Sequence, residues 1–73
     1  MANQSNQFLI FLGRKIRAER AKMAVSQERL GELAGLHRTY IGMIERGEKN
    51  ITISNLRKIA QALGVRVNQL IDF

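Results

Sequence analysis

The 73-residue sequence contains no cysteine, no proline and only one histidine. Without cysteine, neither disulfide bonds nor thiolate metal sites can supplement the core, and one histidine cannot build a zinc site alone. At this length a single hydrophobic core is close to the lower limit for holding a fold. The sequence therefore predicts one packed domain without a metal or other cofactor, and dimerisation is one way to enlarge its core.

Long apolar runs are also missing. The stretch FLIFL, residues 8–12, is too short to span a bilayer or to form the core of a secretory signal. We therefore expect a cytoplasmic protein that has no membrane partner.

Basic residues outnumber acidic ones by twelve to six, which gives a net charge of +6. Such a balance suggests a polyanionic partner such as nucleic acid; the alternative is a basic surface that only keeps a small domain soluble. No serine or cysteine nucleophile lies near His37, and no glycine loop has the pattern of a phosphate-binding site. The sequence thus predicts a protein that is not an enzyme and has no evident small-molecule ligand.

Apolar residues recur at three- and four-residue steps, which predicts an all-α fold. We expect a flexible leader over residues 1–7 and a single five-helix domain over residues 8–73. Serine and threonine are preferred N-cap residues, and glycine readily ends a helix. The caps predicted in this way are Ser26 and Thr52 at the starts of the second and fourth helices, and Gly35, Gly47 and Gly64 at the ends of the second, third and fourth.

Ile10 and Phe11 lie outside the apolar stripe of the first helix. One interpretation is that they pack under the chain's tail or a neighbouring helix. The other is that they contact a second copy of the chain or lipid.

The second and third helices have the pattern of a helix-turn-helix. Gly31 permits close approach of the two helices, Gly35 permits the sharp turn, and the interior positions are apolar. The alternative is an ordinary helical hairpin. In a helix-turn-helix the third helix enters the major groove, where arginine can make two hydrogen bonds to guanine. The residues predicted to face the bases are Arg38, Thr39, Tyr40, Gly42, Met43 and Arg46.

The run SQERLGELAGLHRTYIGMIERGEKNITISNLRKIAQALGV resembles the lambda-repressor-like, Cro-type helix-turn-helix family. It is most similar to the small controller proteins of restriction-modification systems, through HRTYI, IERG and NIT. The resemblance implies a five-helix domain that binds operator DNA as a two-fold dimer.

The same resemblance implies roles for further residues. Arg20 and Glu45 occupy the positions of an internal ion pair, which is structural in this family. Base-reading positions fall on Arg38, Thr39, Gly42 and Met43, although neither Gly42 nor Met43 has a side chain that hydrogen-bonds strongly. Phosphate-anchoring positions fall on Ser26, Gln27, His37, Arg46, Lys49 and Asn50.

These observations predict a homodimeric transcription regulator that acts on a palindromic operator, with an apolar dimer seam formed by Val67, Leu70 and Ile71. A restriction-modification controller is the leading interpretation. The alternatives are an antitoxin or phage-type repressor of the same fold, a protein-interaction module that has lost DNA binding, and a membrane-surface peptide built on residues 8–12.

Overall fold

A computed structural model of the chain describes residues 3–73, with side chains described from residue 7 onward. The described residues form five helices, which confirms the predicted all-α fold. They are α1 (Asn3–Met23), α2 (Gln27–Ala34), α3 (Arg38–Glu45), α4 (Ile53–Leu63) and α5 (Val67–Leu70).

The first helix begins earlier than the sequence predicted. Residues 3–7, which we expected in a flexible leader, are part of α1. Glutamine is a good helix former, so a polar segment can extend an amphipathic helix without burying anything. Residues 1 and 2 of the predicted leader lie outside the described residues.

One hydrophobic core lies between the helices, and every helix contributes to it. α2 and α3 pack against each other, α1 crosses α3, and α4 and α5 cover the remaining side. The side chains that are almost completely buried belong to Leu12, Ile16, Leu30, Ile41, Ile59 and Leu70.

The predicted helix caps are confirmed. Ser26 Oγ accepts a hydrogen bond from the backbone N–H of Arg29 at 2.9 Å, and Thr52 Oγ1 accepts one from that of Asn55 at 3.1 Å. Gly35, Gly47 and Gly64 all have a φ of +72°, the left-handed conformation that favours glycine at helix ends. The ends of α2, α3 and α4 are therefore set by local chemistry.

Two glycines allow helices to approach at backbone distance. A Cβ atom on Gly31 would overlap the carbonyl oxygen of Leu36, as expected for the tight turn between α2 and α3. A Cβ atom on Gly13 would lie 2.5 Å from the carbonyl oxygens of Ile44 and Glu45. The second contact, which the sequence analysis missed, brings α1 directly against the end of α3.

The predicted dimer seam is wrong for one residue. Leu70 is completely buried in the core of its own chain, so it cannot present its side chain to a second copy. Val67 is half-buried and also packs against the core, whereas Ile71 remains exposed. A helix of four residues makes little more than one turn, so few of its side chains can face the core. In α5 the buried side chain is that of Leu70.

Ile10 and Phe11 both pack within the chain. The Phe73 ring lies 5.5 Å from that of Phe11 and 5.0 Å from that of Phe8, while Ile10 lies against Gly47. The three rings, here called the aromatic patch (Phe8, Phe11 and Phe73), nevertheless belong to residues that are 43–49% exposed. Over residues 3–73, no helix combines the length and the apolarity needed to cross a membrane.

Candidate nucleic-acid interface

The start of α3 is fixed by the side chain that precedes it. His37 is the N-cap residue, and its Nδ1 accepts a hydrogen bond from the backbone N–H of Thr39 at 3.0 Å. Arg38 and Thr39 therefore occupy the first turn of α3 with both side chains exposed. This turn is the part of a recognition helix that meets base edges.

An open cleft of about 590 Å³ lies between the start of α2 and the outer face of α3. We call it the α2–α3 cleft. It brings together many of the residues predicted to contact DNA, and its lining consists of Arg20, Ser26, Gln27, Glu28, Arg38, Thr39, Gly42 and Arg46.

Two exposed arginines in this cleft have acidic neighbours. Arg38 Nη1 lies 3.7 Å from Glu28 Oε1, and Arg46 Nε donates a hydrogen bond to Glu48 Oε2 at 3.0 Å. Exposed ion pairs of this kind contribute about 1 kcal/mol or less. Both guanidinium groups can therefore exchange these partners for a polyanion at little cost.

Other predicted contact residues lie outside the cleft. Tyr40 is half-buried against the core, and its hydroxyl accepts a hydrogen bond from Asn55 Nδ2 at 3.1 Å. Met43 is also half-buried, while Lys49 and Asn50 are exposed in the loop between α3 and α4. His37 lines a neighbouring opening of about 440 Å³, which Arg38 also borders.

A buried ion pair lies beneath the cleft. Arg20 Nε donates to Glu45 Oε2 at 2.6 Å, and Arg20 Nη2 donates to Glu45 Oε1 at 2.9 Å. The third arginine nitrogen donates to the carbonyl of Val25 at 2.9 Å. This two-point geometry joins α1 to the end of α3, with the Glu45 side chain only 2% exposed. Hydrogen bonding to Glu45 raises the pKa of Arg20 above its ordinary value, against the opposing effect of burial.

Glu45 of this ion pair also binds Gln27, a contact that the sequence does not predict. Gln27 Nε2 donates a hydrogen bond to Glu45 Oε1 at 3.0 Å. A glutamine at the first position of α2 gives no sign of a partner eighteen residues away. The amide of Gln27 is thus tied to the end of α3.

Comparison with known proteins identifies the family. The helix-turn-helix family HTH_3 matches residues 16–70, which include all of α2, α3 and α4. The chain belongs to this family. The match includes both the turn at Gly35 and the cleft above it.

Relatives within the helix-turn-helix family include a control protein and two solved regulators. Control protein C.BamHI of Bacillus amyloliquefaciens is 44% identical over 70 residues, which cover 94% of this chain and 86% of the relative. The restriction-modification controller protein C.AhdI of Aeromonas hydrophila has a TM-score of 0.87 at 37% identity, over 89% of this chain and 94% of that one.

The second solved regulator is the P22 c2 repressor in complex with a synthetic operator. It has a TM-score of 0.79 at 31% identity, over 84% of this chain and 92% of the chain in that structure. The protein is therefore a helix-turn-helix transcription regulator closely related to restriction-modification controller proteins.

Proposed function

We propose that this protein binds a (pseudo)palindromic DNA operator as a homodimer and controls transcription in the cytoplasm. The observation that carries the proposal is the α2–α3 cleft, in which Arg38, Thr39 and Arg46 converge on a chain with a net charge of +6. Exposed hydrogen-bond donors on the outer face of α3, the second helix of the helix-turn-helix, suit the edges of base pairs in the major groove.

The residues divide into two roles. Arg38 is proposed to bond a guanine, and Thr39 to contact a neighbouring base or its thymine methyl group. Backbone contacts would set the register of the protein on DNA without reading sequence. The proposed phosphate contacts are Ser26, Gln27, His37, Lys49 and Asn50.

We further propose that the regulated genes include those of a restriction-modification system. Support comes from the two relatives described above, one named a control protein and the other a restriction-modification controller. Both are covered by this chain over most of their length.

Dimerisation is proposed to occur through the aromatic patch together with Ile71. These side chains are apolar and exposed, whereas Leu70 is buried. Contiguous exposed apolar surface on a small domain is characteristic of a protein interface. The resulting dimer would place two α3 helices about one DNA turn apart, roughly 34 Å.

Selection of bound duplexes from a random DNA library, at near-physiological salt with excess competitor DNA, tests this function. Enrichment of a palindrome whose half-sites are one turn apart is expected. If binding disappears on addition of salt and no sequence is enriched, the basic face is only a nonspecific electrostatic surface, and the proposal fails.

A further inference from the structure

Gly42 differs from the other close-packed glycines in what surrounds it. A Cβ atom at this position would lie 3.1 Å from Arg46 Nη1 and 3.4 Å from Gln27 Oε1. Both neighbours are the ends of side chains, whereas Gly13 and Gly31 face backbone carbonyl groups. Helix packing therefore does not require a glycine at position 42, although the residue is buried.

Arg46 covers this glycine because of helix geometry. It follows Gly42 by one turn, and side chains at the end of a helix lean back toward its N-terminus. Its Nε donates a hydrogen bond to Glu48 Oε2 at 3.0 Å, in an exposed ion pair that a polyanion can displace. The Nη1 nitrogen lies close to Gly42, and Arg46 is one of the residues that line the α2–α3 cleft.

Gln27, the other neighbour of Gly42, is held in place by a hydrogen bond to Glu45. Gln27 donates its amide N–H to the buried Glu45, and its carbonyl oxygen lies, like Arg46 Nη1, close to the position that a Cβ atom of residue 42 would take. An amide oxygen is a suitable neighbour for a guanidinium group, which has only donors. Through Gln27, the Arg20–Glu45 ion pair thus helps to define the space that Arg46 occupies.

We propose that Gly42 is a specificity-determining residue, because its missing side chain leaves the space in which Arg46 folds back along α3 and turns to the base edges. This inference rests on the proposed DNA-binding function. The two terminal nitrogens of Arg46 keep the geometry for bonding guanine.

The test uses the full chain, the duplex selected by the wild-type protein and a random duplex of equal length. Gly42→Ala is expected to lower the ratio of selected to random affinity by about tenfold for each half-site, the effect of losing one good base contact there. Arg46→Ala is expected to lower it by the same factor. Affinity for the random duplex stays within about twofold for Gly42→Ala, and the unfolding temperature does not fall, since alanine is the better helix former.

The double variant Gly42→Ala/Arg46→Ala separates two causes. If Gly42 acts by seating Arg46, the double variant loses no more than Arg46→Ala alone. If the losses of the single variants multiply, the new methyl group obstructs DNA directly and the inference is overturned. An unchanged ratio for Gly42→Ala also overturns it.

Arg17→Ala serves as the charge-matched control, since Arg17 is exposed on α1. It should weaken binding to both duplexes alike. An equal loss of discrimination in Arg17→Ala and Arg46→Ala would overturn the inference. If the wild-type protein binds all duplexes equally, both the proposed function and this inference fail. If the wild-type protein and Gly42→Ala discriminate equally well between the two duplexes, only this inference fails.

Discussion

Arg38 and Lys49 are both exposed cations near the proposed DNA surface, but they differ in their surroundings. Arg38 lies in the cleft beside Thr39, whereas Lys49 lies in the loop beyond α3. We expect Arg38→Ala to cost about 1–3 kcal/mol of operator binding and to relax specificity at one half-site position. Lys49→Ala should weaken binding to every sequence alike and reduce the salt slope by about one.

Titration of both variants with operator and random duplexes, by fluorescence anisotropy at several salt concentrations, measures these effects. Equal losses of Arg38→Ala on the two duplexes would contradict its role in base recognition. A salt slope that Lys49→Ala leaves unchanged would contradict a phosphate contact at that position.

Glu45 is the residue whose replacement should destabilise the fold most clearly. Its removal leaves the guanidinium of Arg20, which is only 17% exposed, and the amide of Gln27 without their acceptor. Loss of one partner from a buried ion pair costs about 3–5 kcal/mol. We therefore expect Glu45→Ala to lower the free energy of unfolding by about that amount in urea denaturation.

Two comparisons isolate the cause of this loss. Glu32→Gln breaks the exposed pair with Arg29 and should cost about 1 kcal/mol or less. Replacing both partners, as Arg20→Met/Glu45→Leu, should recover much of the stability, because no uncompensated charge remains. A double variant as unstable as Glu45→Ala would show that charge burial is not the cause.

At the scale of helices, the packing of α2 on α3 depends on the absence of a side chain at Gly31. A Cβ atom there meets the carbonyl oxygen of Leu36, and backbone cannot move aside as a side chain can. Gly31→Ala should therefore destabilise the protein by about 1–3 kcal/mol. Gly42→Ala, the matched substitution in the next helix, should be neutral or stabilise by up to about 1 kcal/mol.

Thermal and urea unfolding of the two variants provide the measurement. If both glycines responded in the same direction, the distinction between backbone and side-chain neighbours would be wrong. The comparison also supplies the folding control that the specificity test of Gly42 requires.

Element boundaries followed from the sequence wherever a single residue determined them. Ser26 and Thr52 as caps and Gly35 as a helix end are local choices of hydrogen bonding and backbone conformation, so short patterns were sufficient. The start of α1 was missed because polar Asn and Gln residues give no apolar signal, although they continue a helix.

Contacts between distant elements were harder to predict. Gly13 lies within a helix whose own pattern gives no hint that the end of α3 lies against it. Leu70 was placed in a dimer seam because the periodicity of a four-residue helix does not tell an inward side chain from an outward one. The sequence singles out several residues that line the cleft, but the hydrogen bond from Gln27 to Glu45 depends on tertiary packing and could not be predicted.

For the whole molecule, net charge opposes the association of two copies, whereas exposed apolar surface favours it. Two copies, each with a net charge of +6, repel one another, most strongly at low salt. An interface between them must therefore gain its free energy from burying apolar side chains. The aromatic patch and Ile71 supply exposed apolar area, whereas the cationic residues of the cleft are the ones proposed to bind DNA.

Ile71→Glu tests whether this surface joins two copies. Ile71 is 37% exposed and precedes Phe73 of the aromatic patch by two residues, so a carboxylate there should disrupt the proposed dimer while leaving the core intact. Leu33→Glu is the matched control, since Leu33 is 43% exposed on α2, outside the proposed interface. Sedimentation velocity should show Ile71→Glu shifted to the monomer and Leu33→Glu unchanged.

Operator binding extends the same comparison to function. A monomeric variant must bind two half-sites independently, so Ile71→Glu should bind a single half-site as the wild type does but lose most of the advantage of the complete palindrome. Because its α3 helix is unaltered, its preference for one half-site sequence over another should persist. If instead Leu33→Glu becomes monomeric and Ile71→Glu remains dimeric, the copies associate through the face of α2, and the aromatic patch serves only to fasten the C-terminal segment onto α1.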